Sequence, residues 1–263
     1  MKKNIKEIIE KKNKSKIVSL TAYSKSIAKI LDNYCDIILV GDSMANVLYG
    51  LNSTHKLSLR NITEHTISVK KGIKNSLLVV DMPKNSYKNK KQGRKNAKMI
   101  MKKTKCDAVK LESNNKNFEI IRELVNLNIP VMGHIGYTPQ FKTKFKVEGN
   151  TKKQAKKLLK EALKIEKAGA FSIVLECIAP KTSKLITKTL KIPTIGIGSS
   201  NFCDGQILVT DDMLGISGFY PKFVKKYASL NRIIAKAVKK YSRDVKQDKF
   251  PTTKNFLNGS RIR

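Results

Sequence analysis

Short apolar runs alternate with longer amphipathic stretches along the chain. The runs are Ile17 to Leu20, Ile37 to Val40, Leu77 to Val80, Ala108 to Leu111, Pro130 to Ile135, Ser172 to Leu175, Thr194 to Ile197 and Gln206 to Val209. Most are too short for helices and too continuous for half-exposed strands, so they predict parallel strands buried on both faces. Between them lie helical patterns, clearest over 151–167. There Thr151 and Gln154 have capping-box spacing, and Ala155, Leu158, Leu159, Ala162 and Ile165 fall on one face, with Gly169 as the stop. Residues 24–33, 118–126, 181–190 and 224–242 also read as helices. The last carries Tyr227, Leu230, Ile233, Ile234, Ala237, Val238 and Tyr241, and is long enough to pack across a domain or against another subunit. This alternation predicts a parallel sheet with covering helices. Eight strands in about 200 residues favour a closed (β/α)8 TIM barrel over an open sheet, with the first and last strands the weakest. No linker, low-complexity tract or internal repeat divides the chain. We therefore expect one barrel domain over 1–263, with a basic N-terminal segment and a C-terminal helix plus short tail.

Composition narrows the class. Hydrophobic residues are 40% and charged residues 28%, which excludes a disordered or fibrous chain. No apolar run reaches the roughly 18–20 residues of a spanning helix, and the N-terminus lacks the apolar stretch of a signal peptide. Cys35, Cys106, Cys177 and Cys203 are far apart with no CxxC spacing, which predicts reduced thiols in a cytoplasmic protein and no zinc site. The net charge of +34 points first to nucleic acid. But 47 of the 54 basic residues are lysines, spread along the chain rather than gathered in a stripe, whereas phosphate-clamping surfaces favour arginine. Lysine, asparagine and isoleucine are abundant together, as drift toward A/T-rich codons would produce. Solvated lysine faces are therefore the preferred reading. The densest segment, 84–105, holds ten basic residues and no acid, and could catch a polyanionic ligand tail.

In so basic a chain its 20 acids carry more information. Four apolar runs end in one: Asp42, Asp81, Glu112 and Glu176. In a parallel barrel all strand C-termini open on one rim, so these carboxylates should converge there. Clustered carboxylates repel one another, and a hard divalent cation is their natural partner. Mg²⁺ is held by one or two carboxylates plus water and substrate oxygens. Asp42, Asp81 and Glu112 are the candidate metal ligands. Lys110, two residues before Glu112 on a strand, shares its face and is suited to stabilise negative charge on a substrate oxygen. Gly41-Asp42-Ser43 offers free N–H groups and a hydroxyl to a carboxylate or phosphate. His134 lies near a strand end between glycines that permit close backbone approach, a candidate pocket residue. Cys177 should point away from the rim.

These segments resemble the ketopantoate hydroxymethyltransferase family. The resemblance rests on Leu20-Thr21-Ala22-Tyr23-Ser24, Asp36 to Ser43, Leu78 to Pro83, Ala108 to Glu112, Pro130 to Gly136 with Thr138-Pro139-Gln140, Ala170 to Cys177, Ile192 to Gly198, and Cys203 to Val209. They occur in family order and cover about residues 16–240. The resemblance implies a (β/α)8 barrel of the phosphoenolpyruvate/pyruvate type. It implies a Mg²⁺-dependent hydroxymethyl transfer from 5,10-methylenetetrahydrofolate to 3-methyl-2-oxobutanoate, giving 2-dehydropantoate for pantothenate and coenzyme A synthesis. It also implies a large homo-oligomer, commonly a decamer. By position it places metal contacts on Asp42, Asp81 and Glu112, substrate contacts on Asp42, Ser43, Asp81 and Lys110, a pocket histidine at His134 and the proton acceptor at Glu176.

The chain departs from the family pattern at Asp211, where histidine is usual, at the Ser199-Ser200-Asn201-Phe202 turn, and in its C-terminal tail. Two alternatives stay open. One is a Mg²⁺-dependent C–C or P–C bond lyase on the same barrel, acting on a 2-oxoacid without folate. The other is a polyanion-binding protein on a degenerate barrel, which the intact acids argue against.

Overall fold

A computed structural model describes residues 2–114, 117–218 and 220–256. Eight parallel strands close into a barrel in sequence order. They are β1 (Ile17–Thr21), β2 (Ile37–Val40), β3 (Leu77–Asp81), β4 (Ala108–Glu112), β5 (Val131–Gly136), β6 (Ser172–Glu176), β7 (Thr194–Ile197) and β8 (Gly205–Leu208). Every expected strand is present within one residue at each end. β2, β3, β4 and β5 are buried along their whole length, as continuous apolar runs require. β1 and β8, which pair with each other, alternate instead: their residues Val18 and Gln206 are exposed.

The helices are α1 (Ile5–Glu10), α2 (Lys25–Leu31), α3 (Met44–Val47), α4 (Leu59–Lys70), α5 (Lys90–Thr104), α6 (Phe118–Asn126), α7 (Lys152–Lys167), α8 (Pro180–Thr189), α9 (Thr210–Met213) and α10 (Leu230–Lys246). α7 begins where Thr151 accepts the Gln154 N–H. The return bond of the expected capping box shifts by one residue, because Gln154 Oε1 accepts from the Asn150 N–H. Gly169 ends the helix at φ +93°, where a Cβ would meet Val125 at 2.7 Å. α10 starts at Leu230 rather than at 224. Residues 224–229 are not helical, and the helix runs on to Lys246.

Strand alternation sorts the core into two regions. Outward residues such as Ile38, Val80, Val109, Leu111, Ile173 and Leu175 pack with the helices. Inward residues Ile17, Ile37, Leu39, Leu77, Val79, Ala108, Met132, Val174, Ile195 and Ile207 fill the barrel with apolar volume. Ile8 of α1 joins that inner cluster with no exposed surface. The N-terminal helix thus closes the floor of the barrel, leaving the opposite rim for chemistry.

The chain divides into two compact units, one reaching Thr210 and one starting at Asp211. The second contains α10, which buries none of its residues. Residues 257–263 of the expected tail lie outside the described residues.

Candidate active site

One inward step beyond the apolar layer, the strands turn polar. Val79 is followed on its face by Asp81, Ala108 by Lys110 and then Glu112, Met132 by His134, and Val174 by Glu176. The register sets these side by side across the sheet: Asp81 pairs with Lys110, Glu112 with His134, and Gly136 with Glu176. Asp42 enters from the turn after β2. Gly41 makes that turn possible, since a Cβ there would lie 2.9 Å from Ser43 Oγ.

Lys110 Nζ donates to Asp81 Oδ1 at 2.5 Å, and the Asp42 N–H donates to Asp81 Oδ2 at 3.0 Å. Asp81 thus gives one oxygen to a cation and one to the β2 turn. His134 Nδ1 stands 3.6 Å from Glu112 Oε1, and its Nε2 stands 3.2 Å from Glu176 Oε2. Neither approach is aligned as a hydrogen bond, so both ring nitrogens and Glu112 Oε1 are buried without a partner. Ser43 Oγ shares a 2.8 Å hydrogen bond with the Tyr23 hydroxyl.

Burial dominates the electrostatics. It raises the Asp42 carboxyl to about 7, with Asp81 adding to the shift. It raises Glu112 well above the usual carboxylate range, with Asp42 as the next contributor. It raises Glu176 to about 8, against the opposing pull of Lys110. Burial works against the Lys110 ammonium, but Asp81, Asp42 and Glu112 outweigh it and hold the proton on. His134 is pushed well below its ordinary value by burial and then by Lys110, which leaves a neutral imidazole. The side chain of Glu176 is 18% exposed, whereas that of Glu112 is 1% exposed. Glu176 is therefore the carboxylate open to an entering molecule.

All seven residues predicted from the sequence meet at this rim. Cys177 lies beside it, buried, with its thiol pushed up to about 12 by burial and then by Glu176. Two residues were missed. Gln140, fully buried in the loop after β5, donates from Nε2 to Asp42 Oδ2 at 2.9 Å and from its backbone to Glu112 Oε2 at 2.9 Å. Tyr87, from the loop after β3, donates to Gln140 Oε1 at 2.6 Å. Gln140 had a signal in the Thr-Pro-Gln that follows the glycine-flanked histidine. Tyr87 had none, standing in a lysine-rich stretch.

A hard cation fits this donor set. Among the described residues, no group of three or more His, Cys, Asp or Glu side chains is placed to hold a metal ion, so any cation here rests on one or two carboxylates. What the rim offers is open: a buried Glu112 oxygen with no hydrogen-bond partner, 3.6 Å from His134 Nδ1, and the Asp42 carboxyl that Gln140 ties to the other Glu112 oxygen. That is the protein's share of a site completed by water and substrate oxygens.

The closed parallel barrel with its carboxylate-lined C-terminal rim defines a TIM-barrel enzyme. Solved structures share the fold. A 2,3-dimethylmalate lyase of the PEP mutase/isocitrate lyase superfamily superposes with TM-score 0.61 at 14% identity, covering 98% of this chain and 93% of the other. Phosphonopyruvate hydrolase, solved with oxalate and Mg²⁺, gives TM-score 0.60 at 12% identity, covering 97% and 93%. The sequence is narrower. Residues 2–253 match the profile described as Ketopantoate hydroxymethyltransferase. A 3-methyl-2-oxobutanoate hydroxymethyltransferase of Pelagibacter ubique (strain HTCC1062) is 51% identical over 255 residues, spanning 97% of this chain and 99% of the relative. The chain belongs to the ketopantoate hydroxymethyltransferase family and is a transferase.

Proposed function

We propose that the protein transfers a hydroxymethyl group from 5,10-methylenetetrahydrofolate to 3-methyl-2-oxobutanoate, with Mg²⁺, giving 2-dehydropantoate. The observation that carries this reading is the division of labour among the rim carboxylates. Glu112 keeps a buried oxygen without a partner, suited to a cation. Glu176 stands partly exposed with a carboxyl basic enough to take a carbon-bound proton. The names of the relatives supply the substrate, and a fold neighbour was solved with Mg²⁺ and oxalate, a small dicarboxylate.

Asp42 and Glu112 would hold the metal; Asp81, the third expected ligand, has its oxygens engaged by Lys110 and the Asp42 N–H and would stand beside them. When bound, Mg²⁺ polarises the 2-oxo group and offsets the enolate charge. Ser43, through its hydroxyl and backbone N–H, receives the substrate carboxylate, the Asp42 N–H being taken by Asp81. Lys110, held protonated by its acidic neighbours, stabilises negative charge on the substrate oxygen. Glu176 removes the C3 proton, and that carbon bonds to the folate's one-carbon unit, opened to an iminium; both C–N bonds to the unit break, water supplies the hydroxyl oxygen, and tetrahydrofolate leaves. Neutral His134 sits between Glu112 and Glu176 as a wall of the pocket.

The basic segment is divided by the fold. α5 runs away from the rim, so only the stretch before it, with Lys84 and Lys88, lies near the site. Lys90 and Arg94 pair with Glu119 and Glu123 of α6 at 3.3 and 3.4 Å. Of the two near the site, exposed Lys88 is our candidate for an acidic folate tail, with Lys84 close by but held 3.0 Å from His55 Nδ1. We further infer a cytoplasmic homo-oligomer, a decamer, that does not bind nucleic acid. The exposed Ile233, Ile234, Val238 and Tyr241 of α10 support self-association, and no described helix is long and apolar enough to cross a membrane.

The test is C3 proton exchange of 3-methyl-2-oxobutanoate in D₂O, followed by NMR with and without Mg²⁺ and then with methylenetetrahydrofolate. Metal-dependent exchange that turns into 2-dehydropantoate formation is expected. No exchange from folded, Mg²⁺-supplied protein would remove the transferase reading. Exchange with release of a smaller oxoacid and no need for folate would favour a lyase. Light scattering in solution checks the decamer.

A further inference from the structure

Gln140 ties two of the rim carboxylates to one residue. It has no exposed surface, and each of its side-chain polar atoms is engaged. Its Nε2 donates to Asp42 Oδ2 at 2.9 Å and to the Met82 carbonyl at 3.0 Å. Its Oε1 accepts from the Tyr87 hydroxyl at 2.6 Å, and its own backbone N–H donates to Glu112 Oε2 at 2.9 Å. One residue therefore grips a carboxylate from the turn after β2 and another from the end of β4, each by a single oxygen. The second oxygen of Glu112 is left buried with no partner.

The amide has only one sensible orientation here. The Met82 carbonyl can only accept, and the Asp42 carboxylate accepts when ionised, so the NH₂ end must face them. The Tyr87 hydroxyl, which has a proton to give, then fixes the carbonyl end. Tyr87 is itself only 5% exposed, so water cannot easily replace it.

We propose that Gln140, with its amide oriented by Tyr87, is a positioning residue that presets Asp42 and Glu112 to receive a divalent cation. Holding one oxygen of each carboxylate leaves the other out of the Gln140 contacts, and that of Glu112 makes no hydrogen bond at all. It also restrains two mutually repelling groups before the ion arrives. The proposal rests on the metal-dependent reading above. It assigns to an uncharged loop residue a share of the metal affinity, not of the bond chemistry.

The test measures Mn²⁺ binding directly, by the electron paramagnetic resonance signal of free Mn²⁺, on the full-length protein without substrate. Thermal melts run in parallel. Gln140→Met removes the amide while keeping the backbone donor to Glu112. It should weaken Mn²⁺ binding about 10- to 100-fold, as loss of a hydrogen-bonding support to a ligand does. Activity should return at high metal concentration, so the apparent KM for metal rises while kcat changes little. Tyr87→Phe frees the amide to turn and should weaken binding by about threefold or more, the equivalent of one ordinary hydrogen bond. If Gln140→Met does not fold, Tyr87→Phe decides. Mn²⁺ affinity within about twofold of wild type in the deciding variant overturns the proposal, as does an activity loss that added metal cannot restore. Wild-type protein that binds no Mn²⁺ overturns both this proposal and the metal-dependent reading.

Discussion

Replacing Lys110 with methionine tests whether the barrel interior depends on a single cation. The ammonium sits 2.5 Å from Asp81 Oδ1, with the two side chains only 5% and 3% exposed. Asp42 and Glu112 are buried in the same cluster. Methionine keeps the length and apolar stem but leaves these carboxylates with no countercharge. Breaking a buried pair by removing one partner costs about 3–5 kcal/mol, against a usual domain stability of about 5–15 kcal/mol. The variant should therefore unfold at a much lower urea concentration. The molecule has one route of relief, which is proton uptake. Asp42 is already raised to about 7. A carboxyl whose folded value lies above its unfolded value favours the folded state at low pH and loses that contribution as pH rises through the folded value. Removing Lys110, whose charge pulls both down, raises the Asp42 and Glu112 carboxyls further. The deficit against wild type should therefore be largest above about pH 7 and shrink as pH falls toward about 4. Urea melts followed by circular dichroism, with EDTA present, at about pH 8 and about pH 5.5 give the comparison. Equal midpoints at the higher pH, or a deficit that does not change between the two, would refute the reasoning.

Three further outcomes follow from the same geometry. Glu176→Gln should abolish C3 proton exchange while 3-methyl-2-oxobutanoate still binds; undiminished exchange would remove Glu176 as the base. With the Glu176 carboxyl held up to about 8 by burial, kcat/KM for exchange should climb with pH until about that value, and a flat profile below it would count against the assignment. Gly136→Ala should lower the urea midpoint and the exchange rate together. Its φ of +97° costs a side chain about 1–3 kcal/mol, and the new Cβ would fall 2.1 Å from the Glu176 carbonyl oxygen. An alanine variant with wild-type stability would show that the β5–β6 backbone can move aside.

The strands were readable because burial on both faces leaves a continuous apolar run. The acids were readable because each sits where such a run stops. α4 and α5 were not. Thr63, Thr66 and Thr104 occupy buried helical positions and bond back to the carbonyls of Leu59, Ile62 and Ile100. A polar letter thus fills an apolar slot, and the helical period blurs. α1 is six residues long, too short for a period to show. Tyr87 lies outside any pattern, and its pairing with Gln140 was hidden because 53 residues separate them and only the folded loops bring them together.

The inward alternation of the strands has a consequence for how this protein loses activity. The chemical groups come from five successive staves, β2 through β6, and none of those staves carries a complete set. Separating any one from its neighbour dismantles the pocket along with the ladder. Catalysis should therefore report closure of the whole ring. Inactivation by heat or urea ought to coincide with global unfolding, with no partly opened species that still turns over. A chain cut in a loop on the floor side, where no reacting group resides, should be inert as separate halves and regain its activity when they reassemble.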